Sequence, residues 1–379
     1  MTSKAADSSK IFVPQDQTRR VPRQPDGQGF YQVFSGGVRA AEVSDGIWYI
    51  EPVLEAGHAC AKGVLSTNAV SELSHKIGLQ FIAFHKMGWI NGDYHSSWSA
   101  FVPGQTNHML GPADLWGNVA GNLSRARTAA AIATLIQPNH EEIAAILDDH
   151  TAEERLARSI SLSLRNMDLA MEQIAEFYFE KLANHMESAV LDGRRMASTL
   201  DQNLFAHVHS FFMHLGAARD YLAAFCAFRI GKDPQKVDSF ARLIEAIRPE
   251  HLEADNVLKI MKAKGFFRPK ETSSLKFEAA GWIEEVTDLR NEFMHRRAYG
   301  NRYAEQMGFA QPIDAEAGLY RNIVPVEVNN RTYDIQGVVL RHCREMTGIG
   351  YAAAEASGRD LSIMTLTDRD VVSATFSRG

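Results

Sequence analysis

Three polar residues close together near the end of one apolar-periodic segment have the types that chemistry uses: Arg290, Asn291 and His295. A guanidinium presents a planar fork of donors to an oxyanion. An imidazole exchanges protons near neutral pH, and a carboxamide between them can donate or accept. The spacing predicts a helix from Ser274 to about Ala298, stopped by Gly300. On a wheel of about 100° per residue, Ala279, Trp282, Ile283, Val286, Leu289 and Phe293 make the core arc. Glu284, Asp288, Asn291 and His295 make a polar strip, where residues four apart are neighbours. Arg290 falls inside the apolar arc beside Ile283 and Val286. An arginine at such a position is paired, or its head reaches the rim of a cleft or a subunit junction.

The segment Asp288-Leu289-Arg290-Asn291-Glu292-Phe293-Met294-His295 resembles the signature helix of the HEPN superfamily. That pattern is an arginine, four to six residues, then a histidine, and asparagine often follows the arginine directly. An upstream long helix, Leu200 to Ile230, resembles the partner that packs beside it. The resemblance spans about Thr151 to Tyr303. It implies a ribonuclease that needs no metal and no cofactor, working as a homodimer whose two signature helices meet. RNA carries its own nucleophile, the 2′-hydroxyl, so cleavage needs a proton shuttle and a group to hold charge on the phosphate. The resemblance gives the first role to His295 and the second to Arg290, with Asn291 orienting the histidine or touching the phosphate. Arg290, Arg296, Arg297 and Arg302 stand against one acid, Glu292, and Tyr299 and Tyr303 lie among or just beyond them. Arg296, Arg297, Tyr299 and Arg302 therefore make a candidate RNA-binding patch with stacking faces. Several members of the superfamily are non-catalytic and only dimerise or bind nucleotides.

Bland readings stand beside this one. Cations in a last helical turn complement the helix dipole. Arg290 could pair with an acid of a neighbouring helix such as Asp220. His207, His209 and His214 cluster on the Leu200–Ile230 helix, where zinc could use His207 and His214. No carboxylate completes a set, and Phe205, Phe211 and Phe212 surround them, so a core or interface role is preferred. Arg165-Asn166 repeats the pair without a histidine in reach. Gly348-Ile-Gly350 follows a helical pattern rather than a strand, which fails the dinucleotide-loop context.

The whole chain sets the frame. Its 379 residues are 45% hydrophobic and 23% charged, ordinary for a folded protein. A formal net charge of −6 argues against a generally basic nucleic-acid coat, though not against a local site. Cys60, Cys226 and Cys343 are odd in number and far apart, which fits a reducing cytoplasm rather than a disulfide framework. No run of 18 apolar residues exists, so no membrane partner is expected.

Positions 1–28, with Pro14, Pro22, Pro25 and the group Arg19, Arg20 and Arg23, read as a flexible tail without a secretory core. Phe30–Phe34 and Ile47–Ile50 read as two short strands. Helical spacing recurs from Ser66 to Met87, from Asp114 to Ile136 and from His140 to Leu147, with Trp89, Tyr94, Trp98 and Phe101 expected in a loop over neighbouring helices. Thr151-Ala-Glu-Glu154 is a capping box opening the longest helix. A strand or loop near Ile323–Tyr333 precedes a last helix from Ile335. The expected fold is mainly α, a helical bundle with small β appendages near the N-terminus and before the last helix. Its expected divisions are a tail (1–28), a helical region with short strands (29–150), a HEPN-like bundle (151–310) and a strand/helix extension (311–379). Besides the ribonuclease, two readings stay open: a non-enzymatic helical interaction module, and a regulator that binds a ligand with the aromatic N-terminal region.

Overall fold

The computed structural model describes residues 19–20, 29–90, 93–102, 110–135, 139–271, 273–363 and 365. In chain order the first strands are β1 (Arg19–Arg20), β2 (Gly29–Phe34), β3 (Arg39–Ser44), β4 (Ile47–Glu55) and β5 (His58–Ser66). After α1 (Thr67–Lys76) come β6 (Phe81–Ile90) and β7 (Asp93–Ala100). All seven strands form one sheet in the order β1-β5-β4-β3-β2-β6-β7, every pairing antiparallel.

This sheet corrects the expectation of a helical bundle with small β appendages. The architecture mixes α and β, and a seven-stranded sheet is a principal layer. The reason lies in the residues. β3 reads Arg-Ala-Ala-Glu-Val-Ser and β5 reads His-Ala-Cys-Ala-Lys-Gly-Val-Leu-Ser, and alanine, glycine and lysine are poor strand signals on their own. β4 has four successive buried residues, Ile50 to Val53, so alternation is lost where both faces are covered. The helical spacing from Ser66 to Met87 belongs to α1 only as far as Lys76, and Phe81 onward is strand. Trp98 and Phe101 accordingly belong to the β6–β7 region rather than to a loop over helices, and the side chains of 89 and 94 lie outside the described residues. Of the stretch read as a tail, only Arg19–Arg20 are described, and they pair with Ala61 and Cys60 of β5.

The helices follow: α2 (Pro112–Ile132), α3 (His140–Asp148), α4 (Ala152–Glu187), α5 (Asp201–Arg229), α6 (Phe240–Ala246), α7 (Pro249–Ala254) and α8 (Asn256–Ala263). The capping box at α4 forms as the sequence implies: Thr151 Oγ1 accepts from the Glu154 amide at 3.1 Å, and Glu154 Oε2 accepts from the Thr151 amide at 2.6 Å. A hairpin of β8 (Phe267–Lys270) and β9 (Ser273–Ala279) leads into α9 (Gly281–Asn291) and a π-helical turn (Glu292–Arg296). The last described elements are α10 (Tyr303–Gln306), the hairpins β10 (Phe309–Asp314) with β11 (Leu319–Ile323) and β12 (Pro325–Val328) with β13 (Arg331–Asp334), then α11 (Ile335–Ala356).

The chain folds as two compact units. One takes Met1–Met109, Met167–Phe212 and Leu289–Arg344, and the other takes Leu110–Asn166, Met213–Asp288 and Glu345–Gly379. The first unit has an apolar core of Phe34, Val38, Trp48, Ile50, Val53 and Val70 from the sheet and α1, closed by Leu182 and Met186 of α4 and Leu319 of β11. In the second, Trp116 of α2 meets Phe225 of α5 edge-on, 4.9 Å between ring centroids, and its indole N–H donates to the Gly350 carbonyl at 2.9 Å. Gly350 thus sits inside helix α11, not in a phosphate loop. Among the described residues, no helix is long and apolar enough to cross a membrane. Cys60, Cys226 and Cys343 are buried, and no disulfide joins them among the described residues.

Candidate functional site

The helix expected from Ser274 to Ala298 is shorter at both ends. Ser273–Ala279 is strand β9, because Leu275, Phe277 and Ala279 alternate with Lys276 and Glu278 at the two-residue period of a strand. Ala279, assigned to the core arc of the helix, lies opposite Phe267 in the hairpin instead. The helix can only begin once the chain turns at Gly281, whose φ is +57°; a Cβ there would also crowd the Gly265 carbonyl oxygen at 3.1 Å.

At the other end the α-helix gives way to the π turn Glu292–Arg296, closed by the Arg297 amide donating to the Glu292 carbonyl at 2.7 Å. Arg290 and His295 are five residues apart, which sets them about 140° apart on an ideal α-helix. A turn closed by an i→i+5 bond takes more residues per revolution, so it narrows that angle. The turn is anchored from inside. Phe293 meets Phe212 of α5 edge-on at 5.2 Å and lies 5.8 Å from Tyr299. Tyr299 meets Phe205 at 5.2 Å. The chain then reverses at Gly300, with φ +99°, where a Cβ would land 2.6 Å from the Phe205 ring.

On this scaffold the residues expected from the sequence separate into two groups. Leu289 and Phe293 are buried, His295 is exposed, and Arg290 and Asn291 are half-buried. Arg290 Nε is buried with no hydrogen-bond partner, and no carboxylate pairs with this guanidinium among the described residues. Asp220, weighed above as its partner, is engaged by Arg219 at 3.0 Å and accepts from the Phe240 amide at 3.2 Å. No hydrogen bond joins Asn291 to His295 among the described residues.

The expected RNA-binding patch fares differently. Tyr299 is 3% exposed, so its ring is a core element rather than a stacking face. Its hydroxyl is buried without a partner, and burial, with the carboxylates of Asp334 and Asp201 nearby, pushes the phenol well above its ordinary pKa. Arg296 and Arg297 are exposed and share Glu292 at 3.8 and 3.5 Å. Arg302 is held by Glu305 at 2.5 Å and Glu327 at 2.8 Å. The count of four arginines against one acid thus missed two carboxylates. Glu305 was legible as an i,i+3 neighbour; Glu327, on β12, was not. Arg195, from the loop after α4, approaches the same end of the segment and donates to the Ala304 carbonyl at 2.9 Å.

The remaining alternatives resolve simply. Val208, between His207 and His209, is fully buried, and the three imidazoles of His207, His209 and His214 are half-buried, with burial lowering the pKa of each. Arg165 pairs with Asp114 at 2.8 Å on the surface. The site can therefore bring an unpaired guanidinium and an exposed imidazole to one helical end. No family model, no curated protein and no solved structure matches the chain.

Proposed function

We propose that the Arg290–His295 segment binds and cleaves RNA without a metal, and that the protein acts as a homodimer in a reducing, cytoplasmic setting. The observation that carries the reading is the Arg290 guanidinium: half-buried, one nitrogen fully enclosed, and unpaired among the described residues. Removing a cation from water without a partner is costly, so such a group is kept where an anion arrives. A phosphodiester matches its fork of donors.

In the proposed reaction the RNA 2′-hydroxyl attacks the adjacent phosphorus and gives its proton to an imidazole. Charge building on the phosphoryl oxygens is held by Arg290. The P–O5′ bond breaks, and the departing oxygen takes a proton from a second imidazole. The products are a 2′,3′-cyclic phosphate and a 5′-hydroxyl. One His295 per chain supplies one proton carrier, so a two-fold pair of segments supplies the base and the acid together.

A second reading, a non-catalytic module for dimerisation or for binding a nucleotide or protein partner, is favoured by one observation. Tyr299 is buried and Arg296, Arg297 and Arg302 are engaged by carboxylates, which leaves less free positive surface for a nucleic acid. Purified protein incubated with single-stranded and structured RNA in EDTA separates the two. Cleavage leaving cyclic phosphate ends, in a species that light scattering sizes as a dimer, supports the ribonuclease. No cleavage, or cleavage that EDTA abolishes and magnesium restores, rejects it.

A further inference from the structure

A second charged cluster in the same unit as the Arg290 segment lies between the sheet and α4. Strand register places Tyr31 opposite His85, His85 opposite Trp98, and Met87 opposite Ser96, so His85, Trp98 and Ser96 share one face. Glu172 and Glu176, one turn apart on α4, meet that face. His85 Nε2 lies 3.1 Å from Glu172 Oε1, and Nδ1 lies 3.4 Å from Glu176 Oε1. The second contact is an ion-pair distance without hydrogen-bond alignment. Ser96 donates to Glu172 Oε1 at 2.6 Å, so its oxygen faces His85 Nε2, 2.8 Å away, as an acceptor. A proton is then required on Nε2, and Nδ1 faces a carboxylate. Both nitrogens call for a proton, which describes an imidazolium.

The surroundings reinforce that state. Arg39 of β3 donates from Nε to Glu51 Oε1 at 2.6 Å and approaches Glu176 at 3.6 Å. Its guanidinium lies over the rings of Phe179, at 3.6 Å, and Tyr31, at 4.3 Å. Glu51, Glu172 and Glu176 together outnumber Arg39, and a positive His85 brings the cluster to within one charge of balance. Glu180, one turn farther along α4, has its carboxyl pushed up by burial and by Glu176. Trp98 stands edge-on to the imidazole at 5.3 Å. His85 is 1% exposed and Glu172 is buried, so water and salt screen that contact least.

We propose that His85 is a proton-operated latch that fastens α4 to the β6–β7 end of the sheet, closed while the imidazole is protonated and released when it is not. Deprotonation removes the attraction to both carboxylates and leaves buried Glu172 and half-buried Glu176 one turn apart, with Arg39 as the cation that remains beside Glu176. β7 is the terminal strand beyond β6, held on one side only by backbone bonds, so it is the element set free. Burial works against the charge on His85, but the contacts with Glu172 and Glu176 outweigh it, and the pKa stands above the ordinary 6.5.

The sign follows from linkage. Below about 6.5 the folded and unfolded chains both carry the proton, and the contribution is complete. As pH rises through the higher folded value, the native state gives the proton up and the contribution disappears. Within that window the folding equilibrium declines by up to about tenfold per pH unit.

The test follows the full-length chain from pH 5.5 to 9 by denaturation, by amide-exchange protection factors over 81–100 and 166–180, and by NMR titration of the His85 ring. In wild type, stability and protection should fall across the window above 6.5. His85→Gln should remove that dependence, and Glu172→Gln should move the ring titration to lower pH. Parallel pH curves for wild type and His85→Gln overturn the latch. So does a wild-type His85 ring that titrates at or below 6.5, a reading that stands even if the glutamine variant does not fold.

Discussion

Two arginines of the same unit show what separates a structural charge from a chemically available one. Arg39 is 4% exposed and nonetheless satisfied: a carboxylate at 2.6 Å, a second at 3.6 Å and two aromatic faces surround it. Arg290 has more contact with solvent and no partner among the described residues. Burial alone would rank Arg39 as the unusual residue. Satisfaction ranks Arg290, because a cation that the fold leaves unpaired has bonds available for a ligand. The same contrast divides two buried histidines. His85 is pinched by carboxylates and its pKa rises, whereas His185 beside Lys181 falls to about 4 because burial and the neighbouring ammonium both oppose its charge.

The sharpest way to break the comparison is His295→Ala. Its ring is exposed at the end of the π turn, so the variant should stay folded. Its RNA cleavage should fall by about 10²–10⁴-fold, the range of a positioned acid-base group. Full cleavage by a folded variant removes His295 from the reaction.

Arg39→Leu comes next in size. It leaves Glu51 enclosed without its partner and should destabilise the protein by about 3–5 kcal/mol, read from urea denaturation, with no specific loss of cleavage in the fraction still folded. A milder effect, on the order of 3 kcal/mol between neutral pH and pH 4, is expected from His185. Its folded pKa lies below the unfolded 6.5, so stability is present above 6.5 and is lost as pH falls through that value towards about 4. His185→Gln should flatten this acid limb; an unchanged limb assigns the acid loss to other groups.

The smallest expected change is the stability of Arg290→Leu, within about 0.5 kcal/mol of wild type or above it, since no ion pair among the described residues is broken. The same variant should lose cleavage strongly. If it instead unfolds as readily as Arg39→Leu, the distinction between the two arginines is gone.

Several features with a local cause are legible in the sequence. The capping box at Thr151 and Glu154, the long helices from there to Arg229, and the exposure of His295 all follow from residues within a turn or two of each other. So does the burial of Leu289 and Phe293, which periodicity alone dictates. The sheet was not legible in this way. Its alanine-rich strands carry little intrinsic preference, and their pairing joins residues as far apart as Gly29 and Met87. The alternation in Leu275-Lys276-Phe277-Glu278-Ala279 was present but lay next to a helical pattern that absorbed it.

By itself the sequence determined which residue types share a helical end, that the chain has three widely separated cysteines, and that cations outnumber acids within that one short segment. Only the tertiary structure decided which of those cations remain available. Glu327 reaches Arg302 from another strand, Tyr299 turns inward onto Phe205, and Arg290 receives no partner among the described residues. Nor does any spacing reveal that His85 meets two carboxylates 87 and 91 residues further along the chain. The physical reason is the same in each case. Helical geometry is set by neighbours in sequence, whereas the pairing of a charge depends on which distant groups enclose it when the chain closes on itself.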